Sequence, residues 1–125
     1  MNENEISYKI RGAIFNVYNH LGPGLLESVY VAALMHEFKT DGLDVQKEVS
    51  VPVVYQNEKL ELGFRIDLLI ENKVLIEVKS VENLAEVHHK QVLTYLKLTN
   101  IKLGILVNFN VHEIKSGIFR KVNGL

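Results

Sequence analysis

The 125-residue chain contains no cysteine, which excludes disulfides, a thiolate nucleophile and a cysteine-based zinc site. It also lacks any apolar run near the eighteen or so residues that a membrane-crossing helix needs. The start, Asn2-Glu3-Asn4-Glu5, is polar and acidic rather than basic-then-apolar, so no export leader is expected and a cytoplasmic location is. Internal repeats, low-complexity tracts and linkers are missing too. With 47% hydrophobic and 23% charged residues, the expectation is one soluble domain spanning residues 1–125. Excess positive charge is another absence. The net charge of -1 argues against holding nucleic acid by bulk electrostatics. Its distribution is uneven, however: residues 1–84 carry eight Lys or Arg against thirteen Asp or Glu, and residues 85–125 carry six against two. The C-terminal third could face phosphates.

What is present centres on Gly63 to Lys79. Two short β-branched runs, Phe64 to Ile70 and Val74 to Val78, flank Glu71-Asn72-Lys73, the pattern of a β-hairpin. A three-residue loop pairs Ile70 with Val74, Leu68 with Ile76 and Ile66 with Val78, placing these six apolar residues on one face. The other face then carries Arg65, Asp67, Leu69, Leu75, Glu77 and Lys79. Asp67 is expected directly opposite Glu77, with Cβ atoms roughly 5 Å apart. Opposed carboxylates repel unless a positive charge intervenes. A hard divalent cation such as Mg²⁺ or Mn²⁺ meets that need with one or two carboxylates and waters, leaving Lys79 on the same face to act on an attacking water.

Earlier in the chain, Ile6, Ile10, Ala13, Ile14, Val17 and Leu21 recur at helical spacing, so Glu3 to about His20 reads as an amphipathic helix. Leu21-Gly22-Pro23-Gly24 breaks it. A second helix is expected from near Leu25 to about Lys39, offering Leu26, Val29, Tyr30, Ala33, Leu34 and Phe38 to the core. Val45 to Tyr55 reads as a strand, at a sheet edge or bent because Pro52 cannot donate to a ladder. It should turn through Gln56-Asn57-Glu58-Lys59 into Leu60 to Ile70. Leu84 to about Leu98 is a third helix with His88, Gln91 and Tyr95 on one face. Ile101 to Phe109 is apolar enough for a strand covered on both sides, reached by a right-handed crossover and so parallel to the preceding one. Ile118 to Val122 closes the chain. Adjacent His88 and His89 point about 100° apart on a helix and, with no third ligand at suitable spacing, do not suggest zinc.

Asp67, followed after nine residues by Glu77-Val78-Lys79, resembles the PD-(D/E)XK nuclease signature. Gly24-Leu25-Leu26-Glu27-Ser28-Val29-Tyr30 is similar to the motif of the GxxExxY branch of that superfamily, and Gln91-Val92-Leu93-Thr94-Tyr95 resembles the Q-x-x-x-Y of its RecB-like members. The resemblance implies an α/β architecture with a mixed sheet: a restriction-endonuclease-like αβββαβ core with an extra N-terminal helix. It also implies that Asp67, Glu77, the Val78 carbonyl and Glu27 hold Mg²⁺ or Mn²⁺. Lys79 and Gln91 would complete the catalytic set, with Arg65, Tyr95, His88 and Tyr30 toward substrate.

A metal-dependent nuclease is therefore expected, acting on nucleic acid, DNA before RNA, with no membrane partner. A second copy or another protein is left to supply specificity. Two other readings stay open. One is a non-catalytic nucleic-acid or protein binding module on the same fold. The other is a buried ion network of Asp67, Glu77, Arg65 and Lys79, which would cost desolvation without return.

Overall fold

The computed structural model describes residues 1–125. Helix α1, Glu3–Leu21, starts at Asn2, whose side chain accepts from the Glu5 N–H at 2.8 Å while the Glu5 carboxylate accepts from the Asn2 N–H at 3.0 Å. This reciprocal cap satisfies two of the donors a helix start leaves open. Ile6, Ile10, Ala13, Ile14 and Val17 form its buried stripe. Gly22, with φ 68, ends it in a conformation that a side chain would resist. Helix α2, Glu27–Thr40, begins two residues later than the apolar spacing suggests and buries Tyr30, Leu34 and Phe38. Leu26 and Val29 do not join that core: they are 74% and 40% exposed, because Leu26 precedes the helix and Val29 lies off the four-residue stripe.

Strands β1 (Val45–Tyr55), β2 (Glu58–Ile70) and β3 (Val74–Lys79) form an antiparallel meander. Helix α3 (Glu86–Thr99) then crosses over to β4 (Leu103–Asn108), which runs parallel to β3, and β5 (Ile118–Val122) returns antiparallel. The five strands stand in sequence order in one sheet. This is the expected αβββαβ core with an added N-terminal helix. β1 is an edge strand with an irregularity between Pro52 and Val54, as a proline in that run requires. A 3₁₀ turn at Ile114–Gly117 has no periodic signal in four residues and was not expected.

The helices cover both faces of the sheet. Nineteen buried residues, mainly from α1, α2, β3 and β4, form the larger core; a smaller one of Ile66, Leu69, Leu75, Val92, Leu96 and Leu106 lies under α3. α3 sits close because β4 offers Gly104, where a Cβ would meet the Val92 side chain at 2.8 Å. With cover on both sides, all of β4 and all of β3 except Lys79 are buried, as their mainly apolar sequences require, and Glu77 and Asn108 are buried with them.

The hairpin register is partly as expected. Ile70 pairs with Val74, Leu69 with Leu75 and Leu68 with Ile76, through a loop in which Glu71 and Asn72 are left-handed at φ 54 and 55. There the ladder ends. The expected pairing of Ile66 with Val78 is absent, and Ile66 packs with Leu69 and Leu75 rather than beside Leu68. The cause lies at Asp67. Its Oδ2 accepts from the Val78 N–H at 2.8 Å, taking a donor that the strand partner would otherwise use. On the other flank of β2 the pairing passes from Lys47–Leu68 to Val49–Ile66, skipping Glu48, which is left-handed at φ 52. A non-glycine residue there costs about 1–2 kcal/mol. Both ladders of β2 are thus interrupted at one residue, and side-chain alternation fails across it.

Candidate active site

The interruption brings two carboxyl groups together at the C-terminal end of β3. Glu77 is only 7% exposed, and its Oε1 has no hydrogen-bond partner. Its pKa is pushed up to about 9, first by burial, then by the hydrogen bonding and negative charge of Asp67, with the Lys79 ammonium working in the opposite direction. Asp67 is half-buried and commits one oxygen to Val78. Lys79, half-buried, ends the strand. The Tyr95 hydroxyl is also pushed up, by burial and then by the charges of Glu77 and Asp67, which places α3 beside the pair.

Glu27 is the first residue of α2 and is exposed. Its Oε2 accepts from the Ser80 N–H at 3.1 Å, and the Ser80 hydroxyl donates to the Leu25 carbonyl at 2.6 Å. The residue after Lys79 is thereby fastened to the start of α2. Glu27 also shares with Asp67 a cleft of about 250 Å³ that includes Ser28, Lys47 and Glu48. No group of three His, Cys, Asp or Glu side chains comes close enough to hold a metal ion. Glu27, expected to join the metal directly or through water, has its carboxylate engaged by the Ser80 N–H. A smaller donor set does suit a divalent cation. Asp67, Glu77 with its unpartnered oxygen, and a main-chain carbonyl at Val78 are hard oxygen donors, and Mg²⁺ uses one or two carboxylates with water completing the shell.

The residues expected to meet substrate are dispersed. Arg65 is exposed and pairs at 3.8 Å with Glu48. Tyr95 stacks on Phe64 with centroids 4.1 Å apart. Gln91 is exposed on α3. His88 turns its Nδ1 to the Ala85 N–H at 3.1 Å and so caps the start of α3. Tyr30 is a correction: it is fully buried and stacked on Phe109 at 4.2 Å. Its hydroxyl donates to the Gly22 carbonyl at 2.6 Å and accepts from the Leu25 N–H at 3.1 Å. With ring and hydroxyl both engaged, it fastens the Gly22–Leu25 loop rather than offering a substrate contact.

Asn108 was missed by sequence reasoning. It is 3% exposed at the end of β4, opposite Lys79. Its Oδ1 accepts from the N–H groups of Val81, at 3.0 Å, and Asn110, at 3.2 Å, and its Nδ2 donates to the Val81 carbonyl at 2.9 Å. The Phe109 N–H donates to the Lys79 carbonyl at 2.9 Å. The one signal was an asparagine closing an apolar strand, which reads equally well as a terminator.

A mixed sheet with helices on both faces and an acid pair at the end of a central strand defines a restriction-endonuclease-like fold. A family model for the PD-(D/E)XK nuclease superfamily matches residues 4–121, and the chain belongs to that superfamily. Among solved structures it is similar to SSO0001, known from a crystal structure, with a TM-score of 0.59 and 25% identity over 79% of this chain and 51% of that one. The chain thus spans about half the length of SSO0001. No curated protein matches. No helix is long and apolar enough to cross a membrane.

Proposed function

We propose that this chain is a metal-dependent nuclease of the GxxExxY branch, hydrolysing phosphodiester bonds in nucleic acid, DNA in the first instance, in the cytoplasm. The observation that carries the reading is Glu77: a buried carboxyl with an unpartnered oxygen beside a second carboxyl is costly unless a cation or proton compensates it. Asp67, Glu77 and the Val78 carbonyl would hold Mg²⁺ or Mn²⁺, with Glu27 engaged through water. Bound there, the metal would acidify a water and offset charge on the scissile phosphate. Lys79 would orient the attacking water and balance charge growing on the phosphate, and Gln91 would support it. Tyr95, whose hydroxyl feels the charges of the pair, would position substrate, with Arg65 and His88 meeting it further out.

A second reading, a binding module without catalysis, draws on the engagement of Glu27 by Ser80, which leaves two acids rather than three. One experiment separates them. Wild type should degrade single- or double-stranded DNA or RNA when Mg²⁺ or Mn²⁺ is present, and Lys79→Ala should not. Binding without degradation under every metal condition would favour the module.

A further inference from the structure

The charge excess of the C-terminal third has a place in the fold. On α3, Val92 and Leu96 face the sheet, and at 100° per residue His88, Gln91 and Tyr95 fall on one flank of that buried line. His89, Lys90 and Lys97 fall on the other. The assignment of flanks is fixed by contact: Tyr95 stacks on Phe64 of β2, whereas His89 meets Phe119 of β5 edge to face at 4.9 Å. Phe119 carries the Lys121 ammonium over its ring at 5.8 Å. Lys90 and Lys97 are exposed, and Lys121 is half-buried. Glu86 is the acid on this flank, so the lysines leave it positive.

Register ties the flank to the acid pair. Glu77 pairs with Leu106, and Leu106 with Phe119, so all three stand in one row across the sheet. Two strand spacings separate Glu77 from Phe119, about 10 Å. Both ends of the row lie on the α3 side, where Phe119 packs against the core under that helix. The first 84 residues, which hold Asp67 and Glu77, carry eight basic against thirteen acidic residues. A polyanion approaching the acid pair therefore gains no net attraction from that part of the chain beyond nearby lysines such as Lys79, and a further basic surface would aid its binding.

We propose that the α3–β5 flank, built from Lys90, Lys97 and Lys121 with His89 and Phe119, is a second contact surface for the nucleic acid, gripping the phosphate backbone to one side of the scissile bond. The proposal rests on the nuclease reading of the acid pair. Lys121, held over Phe119, marks the part of the surface nearest the row, and Lys90 and Lys97 extend it along the helix.

The test is binding without cleavage. Fluorescently labelled DNA oligonucleotides, single- and double-stranded, are titrated with protein in EDTA at several salt concentrations and followed by anisotropy. Lys90→Ala, Lys97→Ala and Lys121→Gln, the last keeping an apolar stem over Phe119, should each weaken binding and lower the slope of log affinity against log salt by about one. Lys39→Ala, at the far end of α2, should change neither. Each variant is first shown to melt as wild type does. The proposal is overturned if the triple variant keeps the affinity and salt slope of wild type, or if wild type binds neither oligonucleotide. Cleavage of the same oligonucleotides with Mg²⁺, by wild type and by Lys79→Ala, reports separately on the acid pair. Cleavage that survives in a triple variant of unchanged salt slope removes this surface and leaves the nuclease intact.

Discussion

Asp67 replaces a main-chain acceptor: its Oδ2 takes the Val78 N–H at 2.8 Å just where the β2–β3 ladder stops. One side chain thereby parts two strands and sets its carboxyl against Glu77. Asp67→Ala leaves the buried Val78 N–H without its partner and should lower stability by about 1–3 kcal/mol. Asp67→Asn keeps an oxygen acceptor and should lose less than half as much. Denaturant melts of both proteins check this. Equal losses would show that the charge, not the hydrogen bond, holds the strands apart.

Glu77 makes stability depend on pH. Its folded pKa, about 9, lies above the ordinary glutamate value of 4.5, so between those values the folded chain holds a proton that the unfolded chain has released. Its contribution is fully present below about pH 4.5, declines as pH rises, and is lost above about pH 9. The slope is at most about 1.4 kcal/mol per pH unit. In metal-free buffer Glu77→Gln, neutral throughout, should melt higher than wild type near about pH 8, by about 1–3 kcal/mol, and the difference should shrink toward about pH 5. A pH-independent difference would remove the buried-proton account.

Divalent metal should reverse that trend. A cation held by Asp67 and Glu77 competes with the proton on Glu77, so the stabilisation by Mg²⁺ or Mn²⁺ should grow as pH rises from about 6 toward about 9. At a concentration near 100 times its Kd, the metal should add about 2.7 kcal/mol. Thermal melts across metal and pH check both, and Glu77→Gln and Asp67→Ala should lose most of the gain. A gain that both variants retain would place the metal elsewhere.

How much of this was legible follows from how each residue is specified. The strands and helices were readable because apolar spacing is a local property: Val74 to Val78 and Leu103 to Asn108 are buried on both faces, and their sequences are apolar apart from Glu77 and Asn108. The pairing of Ile70 with Val74 could be derived because loop length and a two-residue period fix it. The failure of that period beyond Leu68 could not, because it depends on a side chain competing with main chain and on a left-handed Glu48 in the neighbouring strand. Glu27 could be placed at a helix start but not its link to Ser80, 53 residues away. Tyr30 sat in a functional-looking motif, yet the spacing that makes the motif is also the spacing that buries the ring against Phe109.

Tyr30→Phe separates those two meanings of the motif. Loss of the hydroxyl removes the contacts with Gly22 and Leu25 and should cost about 1 kcal/mol of stability. Metal-induced stabilisation should stay close to wild type, because the ring still fills its place against Phe109. Differential melts with and without Mg²⁺ measure both quantities, and loss of the metal response would return Tyr30 to the site.

Asn108 offers the sharpest test of how the strand ends are held. Its amide satisfies both polar groups of Val81 from a position 3% exposed, and Val81 follows the Ser80 that holds Glu27. Asn108→Ala strands a buried donor and acceptor and should cost about 2–4 kcal/mol, at about 1–3 per unsatisfied group when relaxation recovers part of the loss. Asn108→Asp keeps the acceptor for the Val81 N–H but sets a carboxylate against the Val81 carbonyl, so it should fall between wild type and Asn108→Ala at low pH and approach Asn108→Ala at high pH, where its charge is complete. Hydrogen exchange at the Val81 amide gives the local readout. Faster exchange there in Asn108→Ala, with the α1 amides changed only by the global loss of stability, is the expected result, and uniform acceleration across the chain would mean that the asparagine serves the core as a whole rather than the loop after Lys79.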